Sequence, residues 1–120
     1  MSITGIANIM LGTSDLDRAR SFYRDKLGLS VKGEIPGFVF LETGPVTLCL
    51  STAHARLAEQ PGPTEVVLQV TGVRNAYAAL KDKGVEFLRE PANVTGDSWA
   101  ANFRDPDGHL LSIFGPEQEA

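Results

Sequence analysis

The sequence is short of the residues that most readily betray a function. Its one cysteine, Cys49, has no partner for an internal disulfide and no Cys or His at metal-finger spacing. Lys and Arg number 11 against 15 Asp and Glu, a formal net charge of −4, and no basic block or stripe stands out, so a nucleic-acid surface is excluded. Apolar runs stop at about six residues, far below the roughly 20 that span a bilayer, and no basic segment leads into an apolar core at the N-terminus. Neither nucleic acid nor membrane is therefore an expected partner, and the expected address is the cytoplasm. At 120 residues the chain is expected to be one domain with one core.

What is present is a pattern written twice. Residues Asn8 to Lys26 are echoed by Glu65 to Lys83 at an offset of 57, and Asp25-Lys26 falls on Asp82-Lys83. In each copy a short apolar run passes through a polar turn into an amphipathic helix. Ile6 to Leu11, bounded by Gly5 and Gly12, reads as a buried strand. Ser14 is the expected N-cap of helix one, with Asp17 three residues on. Leu16, Ala19, Phe22, Tyr23 and Leu27 make its apolar face, and Gly28 ends it. Strands follow around 29–33, 38–42 and 46–51, the last two joined by Thr43-Gly44-Pro45.

The stretch 53–63 reads as the connector. Glu65 to Val70 then repeats the first strand. Val73, Ala76, Tyr77 and Leu80 face a second helix, ended by Gly84, and strands over 85–89, 100–104 and 110–114 complete the second set. Asp105-Pro106-Asp107-Gly108-His109 supplies a tight reversal before the last of them. The predicted fold is α+β: two tandem βαβββ modules, about 1–52 and 64–116, helices outside, forming a cupped, barrel-like groove within a single domain. A pseudo-twofold repeat brings Asn8 and Glu65 to equivalent positions facing that groove.

Ser14-Asp15-Leu16-Asp17-Arg18-Ala19, Phe22-Tyr23-Arg24-Asp25, Leu27-Gly28-Leu29 and Asp105-Pro106-Asp107-Gly108-His109 together resemble the vicinal-oxygen-chelate superfamily. That group includes glyoxalase I, extradiol dioxygenases, fosfomycin-resistance thiol transferases and bleomycin-resistance proteins, and the resemblance runs from about Ile6 to Phe114. Local similarity to the fosfomycin-resistance enzymes lies in Leu41-Glu42 with Gly44, Leu48-Cys49-Leu50-Ser51 and Gly96-Asp97-Ser98. By that likeness Thr47 and Cys49 line the pocket, one strand period apart.

The metal-using members take ligands from the first strand of each half and the last strand of the second, usually two His and a Glu, with a further ligand from the first half in glyoxalases. Carried over position by position, this chain offers Asn8, Glu65 and Ser112, with Thr47 fourth. An amide, two hydroxyls and one carboxylate are a poor donor set for a transition metal. His54 in the connector and His109 in a hairpin loop give no replacement. Neither metal nor cofactor is therefore expected.

Asn8 serves either a ligand or a neighbouring backbone group. Glu65 serves either a pocket, where desolvation would make it a general base, or a solvated strand end. Cys49 reads as a small buried hydrophobe or a reactive thiol. Phe38 and Phe40 line the groove or fill the core, and Trp99, after a polar loop over Asn93 to Ser98, occupies a rim position where its ring closes over a ligand. Ser112 fills the place of a metal-binding glutamate.

The expected function is metal-independent binding or sequestration of a small, partly aromatic molecule, such as a toxin or antibiotic, by a homodimer resembling the bleomycin-resistance proteins. The alternative is an enzyme of the superfamily: a lyase, thiol transferase or dioxygenase-like member with an atypical metal set, or a metal-free isomerase with Glu65 as base. Domain-to-protein binding in regulation is a third reading, which would show as a large exposed apolar patch.

Overall fold

In a computed structural model the order strand, helix, three strands appears twice, over described residues 1, 4–54 and 64–120. The first set is β1 (Asn8–Gly12), α1 (Leu16–Ser21), β2 (Val31–Ile35), β3 (Phe38–Leu41) and β4 (Thr47–Ser51). The second is β5 (Glu65–Gln69), α2 (Val73–Asp82), β6 (Phe87–Thr95), β7 (Ser98–Arg104) and β8 (Leu110–Pro116). The chain divides into two compact units, Met1–Glu59 and Gln60–Ala120, each holding one set. Residues 55–63 of the expected connector lie outside the described residues.

Both sheets have the same topology. The strand orders are β1-β4-β3-β2 and β5-β8-β7-β6, with the first strand of each set parallel to the last and the other pairs antiparallel. The α+β class and the βαβββ repeat are as expected.

In each set the helix covers one face. Leu11, Val39, Leu41, Leu48 and Leu50 are buried in the first set together with Ala19, Phe22 and Tyr23 of the helical segment. In the second, Tyr77 on α2 meets Phe87 edge-on at 4.6 Å between ring centroids, and Phe87 meets the fully buried Phe103 at 5.2 Å. Each such pair adds about 0.5–1.5 kcal/mol beyond area burial.

The start of α1 differs from expectation. Asp15, not Ser14, is the N-cap of α1: its Oδ1 accepts from the Arg18 N–H at 3.0 Å. Thr13 sets this register. It is buried, its Oγ1 accepts from the Asp15 N–H at 3.1 Å and donates to the Asp15 carbonyl at 3.0 Å. Asp17 is left to pair with Arg20 at 2.7 Å. The helix then widens into one π-type turn, Phe22–Lys26, before Gly28, at φ +77°, ends it as expected. Gly84, at φ +89°, ends α2.

β6 and β7 run further than expected. Asn93 to Ser98, expected as a loop, is strand on both sides of a two-residue turn at Gly96-Asp97, where Gly96 has φ +52°. Solvent-facing Asn93 and Thr95 hide this strand in the sequence, because β6 lies at the sheet edge. Its register shifts between Arg89 and Ala92 accommodate Pro91, which has no N–H for a ladder.

Candidate functional site

Strand alternation gives each sheet an open face opposite its helix. In the second sheet three rows cross that face. Direct register partners link Val67 to Ser112, Ser112 to Asn102, and Asn102 to Arg89. The next row runs Gln69, Phe114, Ala100, Ala92, and the row on the other side includes Glu65 and Leu110. Neighbouring members of a row stand roughly 5 Å apart. Because Ala92, Ala100 and Ser112 are small, the face is hollow there: a half-open cavity of about 390 Å³ is walled by these residues with Glu65, Val67, Arg89, Val94, Asn102 and Phe114.

The wall is mainly apolar with a few polar groups. Val67 and Val94 are more than half exposed, so they present apolar surface at the cavity wall. Ser112 is buried at 4% exposure. The Oδ1 of Asn102 is buried with no hydrogen-bond partner among the described residues. A buried amide oxygen left without a hydrogen bond costs about 1–3 kcal/mol, which makes Asn102 the most polar-demanding group of the wall. Glu65 on β5 and Arg89 on β6 stand at opposite edges of the sheet, three strand spacings or roughly 14 Å apart, too far to neutralise each other.

The first sheet brings the other expected site residues together on the side opposite its helix. Asn8 pairs in register with Thr47, Met10 with Cys49, and Cys49 with Phe40, while Phe38 pairs with Ser51. Phe38 and Phe40 are half-buried and stack nearly parallel, 6.3 Å between centroids. Asn8 is exposed at the strand start, and Thr47 is buried. Cys49 has no exposed surface: its Sγ lies 3.6 Å from the Leu50 carbonyl oxygen, and desolvation pushes the thiol pKa up. A thiolate nucleophile is disfavoured in that setting.

Trp99 is the clearest correction among the residues. It pairs with Asn93 and Gly115 and shares strand parity with the buried Ala101 and Phe103, so its ring lies on the helix side of the sheet. There the Arg74 guanidinium of α2 stacks over it at 5.0 Å, held by a 2.6 Å bond from Arg74 Nε to Glu117. Trp99 anchors the helix; it does not border the cavity. The sequence reading also missed Arg89, Asn102, Val67, Ala92, Ala100 and Phe114. A signal existed for two of them, since counting by twos from Glu65 and Ser112 reaches Val67 and Phe114.

The superfamily's metal positions were tested on their donor chemistry. Among the described residues no group of three or more His, Cys, Asp or Glu is placed to hold an ion. Of the four carried-over positions Glu65 holds the one strong donor; Glu65 and Ser112 belong to the second sheet, and Asn8 and Thr47 pair in the first. The residues do not fit a transition metal.

Residues 5–113 match the glyoxalase/bleomycin resistance protein/dioxygenase superfamily, and the chain belongs to it. YurT of Bacillus subtilis is 29% identical over 114 residues, covering 82% of this chain and 89% of that protein. A glyoxalase/bleomycin resistance protein/dioxygenase from Nocardioides is 28% identical with a TM-score of 0.78, covering 100% of this chain and 91% of its own. An antibiotic binding protein from Streptomyces has the same fold at a TM-score of 0.81 and 24% identity, covering 97% of this chain and 98% of its own. Among the described residues no helix is long and apolar enough to cross a membrane.

Proposed function

We propose that this chain binds a small, partly aromatic organic molecule on the open face of its second sheet, without a transition metal. The observation that carries the reading is the cavity: about 390 Å³, mainly apolar, with an orphaned amide and two isolated charges in its wall. That size lies in the range of roughly 300–1,000 Å³ common for small-molecule sites. Antibiotic binding by the Streptomyces protein of the same fold supports sequestration of a drug or toxin as the purpose. The exposed apolar Met10 and Ile35 of the first sheet support assembly as a homodimer, and the free buried thiol of Cys49 suits a reducing cytoplasm.

An enzyme using Glu65 as base is less well supported. Among the described residues the cavity wall holds no His, Cys, Tyr or second carboxylate to share proton transfer with it.

Calorimetric screening of aromatic drugs and metabolites tests the reading, with Ala92→Phe filling the cavity from the edge strand. Ligands should bind the parent and lose at least about tenfold in affinity on Ala92→Phe. Chelator-treated protein should show no submicromolar affinity for Zn²⁺, Mn²⁺, Ni²⁺ or Fe²⁺. One-to-one metal binding that disappears in Glu65→Ala would overturn the metal-free part.

A further inference from the structure

We propose that the ligand of this cavity is a monoanionic aromatic amphiphile, with a carboxylate seated on Arg89 and an N–H or O–H donor beside it seated on Asn102. This rests on the binding reading above and names the chemistry the site would select. Arg89 and Asn102 are direct register partners on β6 and β7, so a guanidinium and an amide present themselves side by side at the cavity wall, roughly 5 Å apart.

Each is in want of a partner. Arg89 makes no ion pair among the described residues, whereas Arg20, Arg24 and Arg74 each hold a carboxylate. Asn102 Oδ1 is buried and unbonded. Its χ2 torsion is soft, so the oxygen turns toward a donor that enters. A guanidinium matches a carboxylate with two parallel N–H donors, and an amide oxygen accepts one further hydrogen bond.

The rest of the wall completes the specification. Beyond Asn102 the face carries Ala92, Ala100 and Phe114, a flat apolar floor for a ring. Glu65 stands at the far edge, where its carboxylate repels a second acid. The site therefore prefers one negative charge at one end over a dianion.

Indoleacetate, its methyl ester and naphthylacetate are the probes: the ester removes the charge, and naphthylacetate removes the ring N–H. Calorimetry on the full chain should find indoleacetate about tenfold tighter than its ester and about threefold tighter than naphthylacetate. Arg89→Gln should bring indoleacetate down to about the ester's level while costing the ester, which makes only a neutral hydrogen bond there, no more than about twofold, and Arg89→Lys should restore part of the preference. Asn102→Ala should remove the preference for indoleacetate over naphthylacetate. Both side chains lie on the open face, so these variants should fold, which circular dichroism checks.

Equal affinity of acid and ester for the parent chain, or an Arg89→Gln loss common to both, would overturn the inference. The binding reading would still stand if the ester bound and Ala92→Phe abolished it. No binding by any of the three probes would overturn the inference, while the binding reading would stand or fall on the wider drug and metabolite screen with Ala92→Phe.

Discussion

The two sheets have one topology and two different open faces. At the second rung the first sheet sets Met10, Cys49 and Phe40 in a row where the second sets Val67, Ser112 and Asn102. At the third, Gly12, Ser51 and Phe38 stand where Gln69, Phe114 and Ala100 stand. The contrast is sharpest on the third strand of each sheet, Phe38 and Phe40 against Ala100 and Asn102. Two stacked rings fill one face, and an alanine and an amide leave the other hollow. A repeated backbone thus carries two different faces through side-chain volume, with the helix sides kept alike.

The likeness of the helix sides should produce the largest effects. Phe103→Ala should cost about 3–5 kcal/mol and Leu41→Ala about 2–5 kcal/mol in urea unfolding, since both are fully buried against their helix sides. A loss below 1 kcal/mol in either would mean that one helix side is not a packed core.

Transplanting the aromatic pair should come next. Ala100→Phe with Asn102→Phe should reduce probe binding by at least about tenfold while the protein stays folded, at a cost of about 1–3 kcal/mol for overpacking. Retained binding would place the ligand elsewhere.

The helix starts sharpen the comparison at smaller scale. α1 is capped by Asp15, while α2 begins at Gly72 with no side-chain cap. Asp15→Ala should cost about 1 kcal/mol. Gly72→Ser should bring no gain, because an added Cβ would meet the Glu119 main-chain nitrogen at 2.8 Å. Stabilisation by that substitution in a thermal melt would show that the C-terminal segment yields.

The smallest effect is one of pH. Burial raises the Cys49 thiol pKa in the folded chain above its unfolded value. Its contribution to stability is therefore complete below the unfolded value of about 8.5 and is lost as pH rises through the folded one. Cys49→Ala should flatten that alkaline slope, and a thiol reagent should label the parent slowly until denaturant is added.

Much of this architecture was legible in the sequence because repetition and helix periodicity are local signals. Tyr23, Phe22 and Ala19 mark one helix face, and Gly28 and Gly84 mark helix ends through a backbone conformation that glycine adopts freely. The site was legible only in part. Glu65 and Ser112 came from the repeat and the superfamily pattern, and both line the cavity. Asn102, Arg89 and Ala92 acquire meaning only through pairing register, which depends on the bulged edge strand β6 and its hidden length. Trp99 was misplaced for the same reason. A loop ending at Ser98 leaves its facing free, whereas a strand from Ser98 fixes it by parity with Ala101 and Phe103.

The most direct test of the second sheet as the ligand face is a titration of nitrogen-labelled protein with indoleacetate, followed by amide chemical shifts. The account predicts the largest shifts at Val67, Arg89, Ala92, Ala100, Asn102 and Ser112, with Met10, Phe38 and Phe40 unmoved. Shifts concentrated on the first sheet instead, with the second silent, would contradict it.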